Sequence, residues 1–270
     1  MRQNDERIGT PQPSPVPQTS VGGLNYVIPT EIVELPSKGV LYPPEHPLYG
    51  KEYVEIKQMT AKEEDILTSA TLIEKGLVLD HLIQSLLLDK NVSAKTLFSG
   101  DKNAILLNAR INAYGNEYKA SSLCNECGSS SEVTFDLLGV KNKEIDYEDV
   151  HLHLDLPKTK FKAAIKFLNS HQEDLLIKEI EKKKNLGIGD NTVTTFLKFV
   201  IISINGLSSA ESDVNHFIDN MPSSDASYIK NQYAKMKPDV DFSFEVECFS
   251  CLNVERREVP ITAQFFWPNP

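Results

Sequence analysis

Glu117-Tyr-Lys-Ala-Ser-Ser-Leu-Cys124-Asn-Glu-Cys127-Gly-Ser-Ser-Ser-Glu-Val-Thr-Phe-Asp-Leu137 reads as strand, tight turn, strand, with a CxxC pair at the turn. The device returns far down the chain in Asp241-Phe-Ser-Phe-Glu-Val-Glu-Cys248-Phe-Ser-Cys251-Leu-Asn-Val-Glu-Arg-Arg-Glu258. These pairs account for all 4 cysteines in 270 residues. A structural zinc takes four soft ligands in a tetrahedron, and a two-residue gap lets both sulfurs of one turn reach the same ion. Nearby amides stabilise the thiolate charge. Gly128 follows Cys127 and suits a positive φ, whereas Leu252 stands in that place after Cys251 and weakens the match. The expectation is one structural zinc on Cys124, Cys127, Cys248 and Cys251.

Loop-closure entropy rises only with the logarithm of loop length, so the separation between Cys127 and Cys248 does not forbid their pairing. It does require the intervening chain to bring its ends together. The expected class is therefore α+β, with short β-hairpins that include two CxxC zinc knuckles and a large helical insertion between them. Four reduced, metal-free cysteines are the alternative. Redox work fits less well, because thioredoxin-type sites put CxxC between a strand and a helix start, and here both motifs lie between strands. A site closed by four sulfurs leaves no open position for water activation, so catalytic zinc is disfavoured.

Outward from the cysteines, six segments follow. Residues 1–22 carry prolines at 11, 13, 15 and 17 and read as a flexible Pro-rich arm, either an inert tail or one that orders on a partner. Residues 23–58 form a β region with strands at Ile32–Leu35 and Tyr53–Lys57. Residues 59–116 are helical: Thr60-Ala-Lys-Glu63 has capping-box spacing before a helix that stops at Gly76. A second, apolar helix spans Leu77–Leu88, and a third, capped by Asp101, ends at Gly115. Residues 117–158 hold the first CxxC region. Residues 159–238 are the helical insertion, in pieces at Phe161–Leu168, His171–Lys184, Thr192–Ile204, Ser209–Asn220 and Asp225–Met236. Residues 239–270 hold the second CxxC pair and the aromatic tail Phe265-Phe-Trp-Pro-Asn-Pro270, which packs on its own core or anchors a partner.

Composition is ordinary for a globular chain, at 40% hydrophobic and 24% charged residues. The net charge of −10 opposes binding to nucleic acid. No run reaches the ~20 apolar residues of a membrane span, and the first residues lack the apolar core of a secretory signal. The chain is expected to stay where it is made, in a compartment that keeps thiols reduced. Other clusters have plainer readings. His151 and His153, beside Asp149 and Asp155, fit a solvated strand face better than a second metal site. Lys182–Lys184 complements a helix C-terminus. Gly187-Ile-Gly189 lacks the context of a dinucleotide fingerprint. Ser223-Ser-Asp225 reads as a helix cap, and Glu63-Glu64-Asp65 as first-turn acids.

Several phrases in order carry a resemblance: Val33-Glu-Leu-Pro-Ser-Lys-Gly39 with Tyr42-Pro43, Met59-Thr60 with Glu64-Asp-Ile-Leu-Thr-Ser69, and Gly100-Asp-Lys-Asn-Ala-Ile-Leu-Leu107 with Arg110 and Tyr114-Gly115. They continue into Cys124-Asn-Glu-Cys127-Gly128 and Phe135-Asp-Leu137. Over residues 31–137 the chain resembles the baseplate hub assembly proteins of T-even-type contractile-tailed bacteriophages. The resemblance implies a non-enzymatic assembly factor, such as a chaperone, or a structural subunit. Its partners would be other hub or tail proteins, in the host cytoplasm during assembly or retained in the virion tail. The competing reading is a hydrolytic or redox enzyme of the phage tail. Zinc is argued from the cysteine spacing alone.

Overall fold

Thr19–Val21 (β1) pairs antiparallel with Leu24–Tyr26 (β2), and Thr30–Glu34 (β3) pairs antiparallel with Tyr53–Lys57 (β4). This computed structural model describes residues 19–21, 24–147, 152–186, 191–259 and 261–266. Most of the segment read as a Pro-rich arm, residues 1–18 and 22, lies outside the described residues. In β3 and β4 the alternation is that of a half-buried ladder: Val33, Val54 and Ile56 are buried while Glu34 and Tyr53 face solvent.

Four helices follow: Ala61–Leu67 (α1), Ala70–Glu74 (α2), Val78–Leu86 (α3) and Ser99–Tyr114 (α4). The helix expected to run unbroken to Gly76 is two, because the Thr68 hydroxyl turns back onto the Glu64 carbonyl at 2.9 Å and Ser69 enters extended backbone. The apolar helix α3 is central, with Leu82, Ile83 and Leu86 fully buried. Asp101 lies in the first turn of α4 and does not cap it; Phe98 holds the cap position. The Asp101 carboxylate instead accepts from the Ser37 amide at 2.9 Å, the Ser37 hydroxyl at 2.7 Å and the Tyr42 hydroxyl at 2.6 Å. The loop after β3 is thereby fastened over the start of α4.

Glu117–Leu123 (β5) and Ser130–Asp136 (β6) form a hairpin in full register, followed by Lys141–Asn142 (β7). The central segment contains His153–Asp155 (β8), Lys162–Ile165 (β9), Ser170–Asn185 (α5), Thr192–Val200 (α6), Ile201–Ile204 (β10), Leu207–Ser208 (β11), Ser212–Asp219 (α7) and Ser223–Met236 (α8). It is therefore helical in part: β11-β10-β9-β8 make a four-stranded antiparallel sheet. One expected helix, Phe161–Leu168, and the last turn of another, Thr192–Ile204, give way to strands. Around β9 the buried residues are Ala163, Ile165 and Phe167, a period of two that a helix cannot place on one face. Helix α6 stops at Val200, and β-branched Ile201-Ile202 carries the chain directly into β10.

Val240–Asp241 (β12) returns to pair with β7, and Ser243–Glu247 (β13) with Val254–Glu258 (β14) forms the second cysteine hairpin. The short β7–β12 ladder, extended by the Lys143 amide donating to the Asp239 carbonyl at 2.8 Å, closes the base of the central segment. Helix α4 supports that closure. Gly100 packs so tightly on Pro238-Asp239 that a Cβ there would lie 2.3 Å from the Pro238 carbonyl oxygen, and the Asn103 amide donates to Asp239 at 3.0 Å. The fold is a mixed α/β arrangement of small antiparallel hairpins and eight helices among the described residues, none of them long and apolar enough to cross a membrane.

Candidate metal centre

The two cysteine turns share one backbone design. In the first, the Gly128 amide donates to the Cys124 carbonyl at 3.0 Å and the Cys124 amide to the Ser129 carbonyl at 2.9 Å. In the second, the Leu252 amide donates to the Cys248 carbonyl and the Cys248 amide to the Asn253 carbonyl, both at 2.8 Å. The residue after each second cysteine is left-handed, Gly128 at φ 70° and Leu252 at φ 60°. The leucine that weakened the sequence match thus takes the glycine-like conformation all the same.

Beneath the turns, an aromatic row ties the hairpins to each other and to the end of the described chain. Phe135 of β6 meets Phe244 of β13 at 4.9 Å between centroids, and Tyr118 of β5 meets Phe265 at 5.2 Å. Polar contacts join the turns above it. The Asn125 amide donates to Glu255 at 2.9 Å, and the Arg257 guanidinium reaches both the Leu123 carbonyl and Glu255.

This scaffold brings all four sulfurs within 4.8 Å of one another, with Cys124 3.7 Å from Cys251 and Cys127 3.7 Å from Cys248. All four cysteines are free. A tetrahedron with metal–sulfur bonds of roughly 2.3 Å has edges of about 3.8 Å, so the spacing suits a metal ion. Ser129 bridges the hairpins, its hydroxyl 3.0 Å from the Cys127 sulfur and 3.3 Å from that of Cys248. That contact, with the Cys251 and Ser250 amides, lowers the Cys248 thiol to about 6, and the Ser129 hydroxyl and amide lower Cys127 as well. Cys251 receives the Asn253 amide, which lowers it, yet burial and the three neighbouring sulfurs push it up to about 12. Four thiols this close cannot all ionise without a cation among them.

The remaining candidates are structural or fall outside the described residues. Glu63, fully buried, accepts from Lys57 Nζ and the Ser85 hydroxyl, each at 2.5 Å, from the Thr60 amide at 2.9 Å and from the Thr60 hydroxyl at 2.6 Å, completing the expected capping box. Burial raises its pKa, and these donors more than reverse the effect, holding it at about 2 against an ordinary 4.5. Such a difference corresponds to on the order of 3 kcal/mol. The folded value is the lower one, so this stability is present above the unfolded value of 4.5 and lost as pH falls toward 2. Glu63→Gln is expected to cost about 2–3 kcal/mol near neutral pH and progressively less in acid, as read from urea midpoints of both proteins across that range. A cost independent of pH would contradict the assignment.

Asp225, read as part of a cap, is instead the buried acceptor of the Lys158 amide at 2.7 Å and of the Thr159 amide and hydroxyl at 3.0 and 2.8 Å. It binds the turn between β8 and β9 to α8, whose cap position is Pro222. His153 is exposed on β8; Asp149, His151 and Gly187–Gly189 lie outside the described residues. Lys182–Lys184 occupies the last turn of α5. In the aromatic tail Phe265 and Phe266 are fully buried, while Trp267–Pro270 lies outside the described residues. Sequence reasoning missed Ser129, Arg257, Asn125 and Glu255, whose roles depend on the meeting of the two hairpins and carry no spacing rule of their own.

The model of a family described as T4 bacteriophage base plate protein matches residues 30–267. No curated protein and no solved structure matches the chain.

Proposed function

The chain belongs to the T4 bacteriophage base plate protein family, and from that premise we propose a non-enzymatic hub assembly factor or structural subunit of the tail baseplate, clamped by one structural zinc ion. The observation that carries the metal is the convergence of Cys124, Cys127, Cys248 and Cys251 within 4.8 Å from two hairpins far apart in sequence. Four thiolates in a tetrahedron suit zinc, and zinc held this way is a cross-link without an open position for substrate. The hairpins then act as two CxxC knuckles that join the ends of the central segment.

The partners on this reading are other hub or tail proteins. The protein would act in the host cytoplasm during assembly and, as a subunit, remain in the virion tail. A hydrolytic role finds no support in the densest acidic group, because Glu63 is saturated by four donors and Glu64 accepts from the Tyr114 hydroxyl. Mass spectrometry of purified virions and of baseplate intermediates tests the role. A subunit is expected in both and a departing assembly factor in intermediates alone. Absence from both would overturn the proposal.

A further inference from the structure

The apolar side chains around the cysteine turns point away from the core. Phe249 is 79% exposed, Leu252 70%, Leu123 60% and Val254 58%, and all four lie within three residues of a cysteine. Phe249 is held between Cys248 and Cys251 by the hydrogen bonds of the turn. Leu252 occupies a left-handed position, at φ 60°, that costs a leucine roughly 1–2 kcal/mol and glycine nothing. Its side chain recovers little of that by burial within this chain. Strain of this kind persists where the side chain has a use. A rigid turn also presents its side chains with little ordering entropy left to lose on docking.

Charge identifies the occupant. Residues 123–132 and 247–255 contain Glu126, Glu132, Glu247 and Glu255 and no lysine or arginine. The nearest cations are engaged: Arg257 turns back to Leu123 and Glu255, and Arg256 pairs with Asp241 at 2.6 Å. Four thiolates around a dication add two more negative charges. The tip therefore repels nucleic acid, anionic lipid headgroups and a second copy of itself.

We propose that the cysteine tip is a docking surface for another baseplate protein, one that offers an apolar pocket ringed by lysine or arginine. Phe249 is the anchor, Leu252 and Val254 flank it, and Glu126 and Glu247 meet the basic rim. The inference rests on the baseplate reading and takes part of its charge from the proposed zinc.

The test uses baseplate intermediates that accumulate without this chain, purified and mixed with the protein. Phe249→Ser and the double variant Glu126→Lys, Glu247→Lys alter exposed side chains, so metal content and melting temperature are expected to match wild type. Phe249→Ser is expected to raise the concentration for half-maximal incorporation at least about tenfold. The charge reversal is expected to slow incorporation and abolish its salt dependence. A benzoylphenylalanine at position 249 is expected to cross-link to another baseplate protein beside basic residues. Undiminished incorporation of Phe249→Ser, or cross-linking only to nucleic acid or to a second copy, would overturn the docking surface and leave the baseplate reading intact. Failure of the wild-type protein to bind the intermediates, whether it stays or later departs, would overturn the baseplate reading itself.

Discussion

Replacing Cys124 by serine is expected to lower the melting temperature by about 10 °C and to strip hydrogen-exchange protection from both cysteine hairpins while α3 and α4 stay protected. Isolated two-stranded hairpins are marginal in water. Here β5–β6 and β13–β14 are joined to each other by the sulfur cluster, the Asn125–Glu255 and Arg257 contacts, and the aromatic row under them. Structural zinc contributes on the order of 10–16 kcal/mol to the folding of small finger domains. In this chain Leu82, Ile83 and Leu86 belong to a core cluster that does not include the four cysteines, so the expected loss on removing one ligand of the proposed zinc is a part of that, about 4 kcal/mol. At roughly 2–4 °C per kcal/mol for a chain of this size, the shift is readily seen by calorimetry. A Cys124→Ser protein that melts with wild type would show that the sulfurs carry no load.

Asp101→Ala is expected to cost about 3–5 kcal/mol, through a different mechanism. Asp101 is fully buried and accepts three hydrogen bonds from Ser37 and Tyr42, and the Tyr42 hydroxyl in turn accepts from the Phe98 amide at 3.2 Å. Truncation leaves a buried amide and two buried hydroxyls facing a void. Burial raises the pKa of Asp101 against the pull of its three donors, and burial with the adjacent carboxylate raises that of Tyr42. Asp101→Asn, which keeps the volume and one acceptor, is expected to lose less than half as much. Urea denaturation of the two variants checks this, and an Asp101→Ala midpoint indistinguishable from wild type would contradict it.

What could be read before the structure was local or periodic. The capping box at Thr60–Glu63, the strand Tyr53–Lys57 and the CxxC turns all announce themselves within a few residues. The phrases behind the family resemblance proved to be packing devices: Ser37 and Tyr42 bind Asp101, and Arg110 donates to the carbonyls of Phe265, Gly115 and Glu117. Their partners lie up to 155 residues away in Arg110–Phe265, so the contacts could not be foreseen from spacing. The family match, reaching residue 267, extends the likeness beyond residues 31–137 and across both cysteine pairs.

The errors are equally physical. Phe161–Leu168 contains enough alanine and lysine to pass as helix, but Ala163, Ile165 and Phe167, at every second position, are the residues that β9 and the chain just after it bury. Asp101 and Asp225 sit where first-turn acids normally face their own helix; each is drawn instead to a loop that packs across the helix start. Ser129 stands between sulfurs of both hairpins, Cys127 and Cys248, which lie far apart in sequence, so no local spacing marks it.

On the proposed account the four sulfurs, within 4.8 Å of one another, hold zinc. Full-length protein purified under reducing conditions, without added metal, should be measured by elemental mass spectrometry and by X-ray absorption at the zinc edge. The predicted result is one zinc per chain in a shell of four sulfurs at about 2.3 Å. A folded protein without stoichiometric metal, or with zinc in a shell of nitrogen and oxygen, would contradict it.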